Sequence, residues 1–452
     1  MSREHDADSR PLTDRRQLIE YFRDGETSVS DRGIGTEHEK FVIRRSDASM
    51  LSFEQPGGFG DIFQALIDRF GFSPGSVDDG QIVDVVSDDG AITLEPGGQF
   101  ELSGAIRDTI FEVADEFDEH IRQVRAVADD DLQFVIWGMN PGKAPEDVPW
   151  MPKSRYRVMR DYLATRGNMA HWMMKTTCTV QANFDYVSED DLSDLVHTAV
   201  LASPLVGALF ANSPIQNGEP TGMQSQRNHI WWTGTDPDRT GVPSFMYSTD
   251  WGYEQVVDHV LDVPMFFIRR EGEYIDMAGH SFRQFLDDGY QGHQPLMGDF
   301  ELHLTTLFPD VRIKQFVEVR SADGGPRDAV LALPAIWKGL LYDDDARSRV
   351  VELFDPLDEQ DHRQLIRTCY QEGIHGDSPW GPIAGLCRLL IDISDDGLRR
   401  IADRQGHRDE TEFLRPLYHR LDTGRSWADE LLEDFRQLDG DLVALADKWA
   451  LP

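Results

Sequence analysis

The sequence predicts an α+β protein: one catalytic body with a helical C-terminal part packed on it. Three observations predict this. Four separate stretches alternate with a period of two, long segments between them carry helical periodicity, and after about residue 328 the pattern stays helical to the end. No low-complexity linker divides the chain, and no internal repeat is evident. The expected division is a disordered acidic tail over 1–12, a catalytic body over 13–345 and a mainly helical part over 346–452.

The elements follow in order. A helix is expected at about 13–24, then a strand over 35–43 that places Glu37, Glu39, Phe41 and Ile43 on one face. Asp61–Phe70 has the spacing of a short amphipathic helix. Residues 81–103 read as a meander, with an Asp89-Gly90 turn and a strand over 95–103 that puts Gln99, Glu101 and Ser103 together. A helix over 105–129 is expected to bury Ile106, Ile110, Val113, Phe117, Ile121 and Val124.

A strand at 132–137 and a helix near 154–164 precede the third alternating stretch, 178–185, which gathers Thr179, Gln181, Asn183 and Asp185. Ser188 with Asp191 resembles a capping box, opening a helix that ends at Asn212-Ser213-Pro214. Residues 215–250 read as aromatic-rich loop. The fourth strand is expected over 312–320, with Lys314, Glu318 and Arg320 on one side.

Each alternating strand thus has a polar face rich in charge. Carboxylates converging there lose hydration and repel, costing several kcal/mol per ion unless paired. Divalent cations relieve this, and hard oxygen ligands suit magnesium. The pattern reads as a metal–carboxylate enzyme.

Composition narrows the setting. The 81 Asp+Glu against 44 Lys+Arg give a net charge of −37, with Asp outnumbering Glu about two to one. Such self-repulsion destabilises a compact state in dilute salt and is screened near 1 M. The expectation is a halophile's cytoplasmic protein, the alternative being a merely acidic one. An acidic surface argues against nucleic acid and anionic membrane as partners. Residues 1–17 show no apolar signal core, and the longest apolar run, 198–211, is too short to span a bilayer. Cys178, Cys369 and Cys387 form neither a disulfide framework nor a CxxC site. Gly138–Ala144 lacks the spacing and hydroxyl of a Walker loop, and no GxGxxG, HExxH or GxSxG is present.

Nine collinear motifs resemble the glutamate–cysteine ligases of plants and proteobacteria. They include Gly35-Thr36-Glu37-His38-Glu39-Lys40-Phe41, Glu95–Gly104, Met151–Tyr156, Thr177–Asn183, Arg227-Asn228-His229-Ile230-Trp231 and Glu318-Val319-Arg320. The similarity spans roughly 15–345 and weakens toward the C-terminus. It implies a glutamine synthetase-like fold: a curved antiparallel sheet forming a funnel, with helices on its outer face. It also implies ATP-dependent joining of the glutamate γ-carboxyl to the cysteine amine through γ-glutamyl phosphate, the first step in making glutathione or another low-molecular-weight thiol. The alternative is a carboxylate–amine ligase of the same fold with another amine acceptor.

Under this resemblance Glu37, Glu39, Glu101 and Glu318 are the expected magnesium ligands, with Glu95 and Gln181 as additions. Each alone could equally be an exposed carboxylate of an acidic protein. Arg320 is expected to stabilise the transferring phosphoryl group, its alternative being a salt bridge to a ligand carboxylate. Arg155 and Arg227 are expected to hold amino-acid carboxylates, and Trp231 to wall the pocket or simply fill the core. ATP and Mg2+ are the implied cofactors, and glutamate and cysteine the partners. The oligomeric state stays open. Ser321 replaces the glycine of plant relatives, and the extra cysteines those relatives use for redox control are not carried over.

Overall fold

The computed structural model describes residues 8–354 and 357–451. Among the described residues the centre is a nine-stranded antiparallel sheet. Its strands are β1 (Ile34–Arg44), β2 (Ser73–Pro74), β3 (Val85–Ser87), β4 (Gly90–Leu94), β5 (Phe100–Gly104), β6 (Leu132–Val135), β7 (Val180–Phe184), β8 (Val311–Ile313) and β9 (Val317–Val319). They lie in the order β8-β9-β7-β1-β5-β4-β3-β2, and β6 pairs with the far half of β1.

Between the strands run α1 (Arg15–Arg23), α2 (Phe59–Phe70), α3 (Ile110–Val127), α4 (Arg155–Leu163), α5 (Ala170–Thr176), α6 (Glu189–Leu209) and α7 (Gln226–Thr233). They are followed by α8 (Tyr253–Asp262), α9 (Phe282–Asp288) and α10 (Met297–Leu304). After the sheet come α11 (Arg327–Leu341), α12 (Asp344–Phe354), α13 (Glu359–Glu372), α14 (Ile383–Gln405), α15 (Arg415–Thr423), α16 (Trp427–Gln437) and α17 (Leu442–Trp449).

The two faces of β1 explain the architecture. His38, Lys40 and Val42 point outward: His38 lies 4.9 Å from the Phe117 ring on α3, and Lys40 lies 6.0 Å from the Phe100 ring. The inner face changes character along its length. Phe41 and Ile43 join Val135, Trp137, Leu431 and Leu445 in an apolar cluster built by α16 and α17. Burying side chains of that size contributes about 1.5–3 kcal/mol each. The C-terminal helices therefore close the apolar half of the face, and Glu37 and Glu39 are left for the cavity.

Helix α6 is long, apolar and mostly buried inside the fold, so the run at 198–211 belongs to a core helix. Ser188 caps it by accepting from the Asp191 N–H at 3.2 Å. Pro204 within it has no N–H to give the Val200 carbonyl, and His362 Nε2 of α13 supplies the missing donor at 2.7 Å.

Several expectations are corrected. The helix placed at 105–129 begins at Ile110, because Thr109 and Glu112 cap each other there; Ile106 precedes it and is 62% exposed. The strand expected over 95–103 is a turn followed by β5. Glu95 to Gln99 reverse the chain, Gly98 adopts φ +81°, and a side chain on Gly97 would strike the Lys175 carbonyl. The strand expected over 312–320 is a hairpin of β8 and β9, closed where the Lys314 N–H bonds the Phe316 carbonyl at 2.9 Å. Helix α5 arises in a stretch given no element from the sequence, and α7 where loop was expected. Of the tail expected over 1–12, residues 1–7 lie outside the described residues, while Pro11 bridges Leu296 and the Leu12 N–H bonds the Pro295 carbonyl at 3.0 Å.

Candidate active site

Antiparallel register decides which carboxylates meet. Glu39 on β1 stands opposite Glu101 on β5, and Glu37 stands opposite Gln181 on β7. Directly opposed residues share a face, so these four side chains converge although they are up to 144 positions apart in the chain. The β4–β5 turn brings Glu95 beside them. Asn183 Nδ2 donates to Glu37 at 2.9 Å, the Thr179 N–H to Glu39 at 2.9 Å, and Ser103 Oγ to Glu101 at 2.8 Å.

These groups line one pocket, open on one side to solvent. Burial, with the neighbouring charges of Glu101 and Glu95, pushes the Glu39 carboxyl well above the usual range. Burial and the charges of Glu37 and Glu95 push Glu101 up to about 8. Buried carboxylates under mutual repulsion are poised to gain from a cation.

Cationic groups line the same pocket. Arg227 projects from α7, its Nη2 donating to the Arg320 carbonyl at 3.1 Å and its guanidinium 5.9 Å from the Trp231 ring. Arg320 Nη1 donates to Gln181 and Glu318, and the guanidinium lies 6.0 Å from the Trp231 and Phe308 rings. Arg155 opens α4, buried 5.3 Å from the Tyr156 ring, whose hydroxyl bonds the Leu94 carbonyl at 2.6 Å.

Glu37, Glu39, Glu95, Glu101, Gln181, Arg155, Arg227, Trp231 and Arg320 thus share one cavity wall. Glu318 does not line it. This residue is fully buried behind the wall, where Arg312 donates to it at 3.1 Å through Nε and 2.7 Å through Nη2, and Lys314 Nζ lies 3.3 Å away. Burial alone would raise its pKa, but Arg312, Lys314 and Arg320 hold it well below the usual carboxylate range. In this arrangement Glu318 anchors three cations.

The residues present are tested against magnesium by their donor chemistry. Glu37, Glu39, Glu95, Glu101 and Gln181 offer the hard oxygens that it prefers, on one cavity. Among the described residues, no three carboxylate, imidazole or thiol groups form a complete ligand set by themselves. An ion that keeps waters and takes phosphate oxygens fits such a partial set.

Sequence reasoning missed Arg312 and an apolar wall of Met159, Met173 and Met174. Arg312 had a signal in its charge within an otherwise apolar strand. The Met173-Met174 pair sits on a helix of seven residues, too short for periodicity to show.

Comparison with known proteins agrees with this geometry. The family model described as glutamate–cysteine ligase family 2 matches residues 33–447. Among curated proteins, a chloroplastic glutamate–cysteine ligase of Brassica juncea is 39% identical over 427 residues, covering 94% of this chain and 81% of the relative. Its counterpart from Arabidopsis thaliana is 38% identical, covering 94% and 80%. Among solved structures, a glutamate–cysteine ligase of Francisella tularensis in complex with AMP superposes with a TM-score of 0.60 at 14% identity, covering 92% of this chain and 88% of that one. A bifunctional glutathione synthetase of Pasteurella multocida gives 0.54 at 14% identity, covering 96% and 52%. The fold is that of these ligases, as expected. The cytoplasmic location expected from the sequence is overturned by these curated relatives, which are themselves chloroplastic.

Proposed function

This chain belongs to glutamate–cysteine ligase family 2, and we infer that it carries out that family's reaction: glutamate, cysteine and ATP give γ-glutamylcysteine, ADP and phosphate. The observation that carries the reading is one cavity lined by groups of both charges. Buried carboxylates and the Arg155, Arg227 and Arg320 guanidiniums line the same cavity. Ligation needs both: a place for a cation–polyphosphate complex and places for substrate anions.

In this reading the γ-carboxylate of glutamate attacks the terminal phosphoryl group of ATP, and ADP leaves. The amine of cysteine then attacks the acyl carbon and phosphate departs with its electron pair. Arg155 and Arg227 hold the amino-acid carboxylates, matching them through paired N–H donors. Trp231 and Phe308 exclude water beside the guanidiniums. Arg320 faces the negative charge that develops on the transferring phosphoryl oxygens. Glu318 with Arg312 keeps the Arg320 side chain extended toward the cavity. Glu37, Glu39, Glu95, Glu101 and Gln181 would hold magnesium, which when bound neutralises phosphate charge.

The net charge of −37 supports a working environment of high salt, where screening removes most of the self-repulsion.

The test is ADP release in salt-containing buffer with glutamate, ATP and magnesium. Release should depend on cysteine and fall with alanine, serine or 2-aminobutyrate in its place. ADP release indifferent to the amine, or none at all, would sink the assignment. Omitting magnesium should abolish turnover.

A further inference from the structure

Asp323 lies outside the cavity wall, is fully buried, and has no part in the chemistry above. Its carboxylate is nonetheless the meeting point of three segments. Oδ2 accepts the Asn212 N–H at 2.8 Å and the Ser213 hydroxyl at 2.6 Å, both just after α6. Oδ1 accepts the Ser225 hydroxyl at 2.8 Å and lies 3.9 Å from Arg227 Nη1.

The two serines act as relays. Ser213 Oγ, while its O–H donates to Asp323, accepts the Arg227 main-chain N–H at 3.0 Å. Ser225 Oγ likewise accepts the Asn228 N–H at 3.1 Å as the N-cap of α7. Two otherwise unpaired N–H groups of the first turn of α7 are therefore satisfied through hydroxyls oriented by one charge, and that charge sits at the positive end of the helix. The main chain around Asp323 is itself fixed to the sheet: Asp323 bridges Thr179, whose N–H bonds Glu39, and the Gly324 N–H bonds the Cys178 carbonyl at 3.0 Å.

We propose that Asp323 is a positioning residue that sets the depth and orientation of α7 against the carboxylate strands, and so places Arg227 and Trp231 for substrate. The charge does this better than a neutral amide because it accepts from three donors while facing the Arg227 guanidinium. A neutral Asn would turn an N–H₂ toward one of those donors.

The inference rests on the reading that Arg227 holds an amino-acid carboxylate, so the experiment includes Arg227→Ala. In steady-state assays of the full chain, Asp323→Asn should raise the KM of one amino acid by about tenfold, the scale of losing a good helix cap, while the KM for ATP stays within about twofold. Arg227→Ala should raise the same KM at least as much. If Arg227→Ala moves that KM and Asp323→Asn does not, the proposal for Asp323 is overturned. If Arg227→Ala moves no KM, the binding reading of Arg227 falls, and Asp323 with it. A uniform loss in all parameters for Asp323→Asn, tracking a lower melting temperature, would mean a structural role only and would also overturn it. Should Asp323→Asn fail to fold, Ser213→Ala decides: a selective rise in the amino-acid KM supports the relay, and unchanged constants reject it.

Discussion

Arg312 and Arg320 flank the same carboxylate but are left with different tasks. Each nitrogen of the Arg312 guanidinium is committed, to Glu318 or to the Thr305 and Leu307 carbonyls. Among the described residues, Arg320 bonds Gln181 and Glu318 through Nη1 only, so the rest of its fork faces the cavity. Arg320→Ala should therefore lower kcat about a hundredfold or more, the scale of losing one preorganised donor to developing charge. Glu318 would keep Arg312 and Lys314, so the melting temperature should hold; unchanged turnover would remove Arg320 from the phosphoryl site. Asp310 offers a pH test away from the carboxylate cluster. Burial raises it from its ordinary 3.8 to about 7, against the Trp232 N–H and the Arg227 and Arg320 charges. Between those values the folded protein holds a proton that the unfolded chain has released. That contribution to stability is complete below about pH 4 and lost as pH rises through about 7. Asp310→Asn should flatten this part of the profile, so its melting temperature should fall less than wild type between acid and neutral pH. Parallel profiles would show that Asp310 ionises at its ordinary pKa.

At the scale of elements, α6 shows how a long buried helix tolerates proline. His362 bonds the carbonyl that Pro204 leaves without a partner, and Tyr247 lies 3.0 Å from the other ring nitrogen. Burial holds the imidazole pKa down to about 4, so the ring is neutral and can donate at one nitrogen and accept at the other. His362→Phe fills similar space and strands a buried carbonyl, so denaturant unfolding should show a loss of about 1–3 kcal/mol. A loss well below that range would mean that the carbonyl finds another donor. The elements that sequence patterns missed share a cause. Helix α7 is short and lies among aromatic residues that read as loop, yet Ser225 was its visible cap. The β8–β9 hairpin turns at Lys314-Gln315-Phe316, which contains none of the glycine or asparagine that marks a tight turn. Nothing local separates that segment from a continuous strand.

The whole molecule has a surplus of negative charge that its many arginine–aspartate pairs do not balance. Its melting temperature should rise by several degrees between about 0.05 M and about 2 M KCl, with most of the gain at the low end where screening changes fastest. A flat dependence would reject the high-salt reading. Other properties were written into local order. The two-residue alternation around Glu37, Glu39 and Gln181 fixed which side chains face together, because a strand allows only two directions. Serine and aspartate spacing fixed the start of α6. What no stretch of chain could announce is the distance between stretches. Glu39 meets Glu101 only through β1–β5 register, Glu318 is drawn off the cavity by the charges of Arg312 and Lys314, and α7 is seated by an aspartate almost a hundred residues away. Periodicity is a property of neighbours along the chain, whereas the pairing of buried charges depends on which distant segments share a low-dielectric interior.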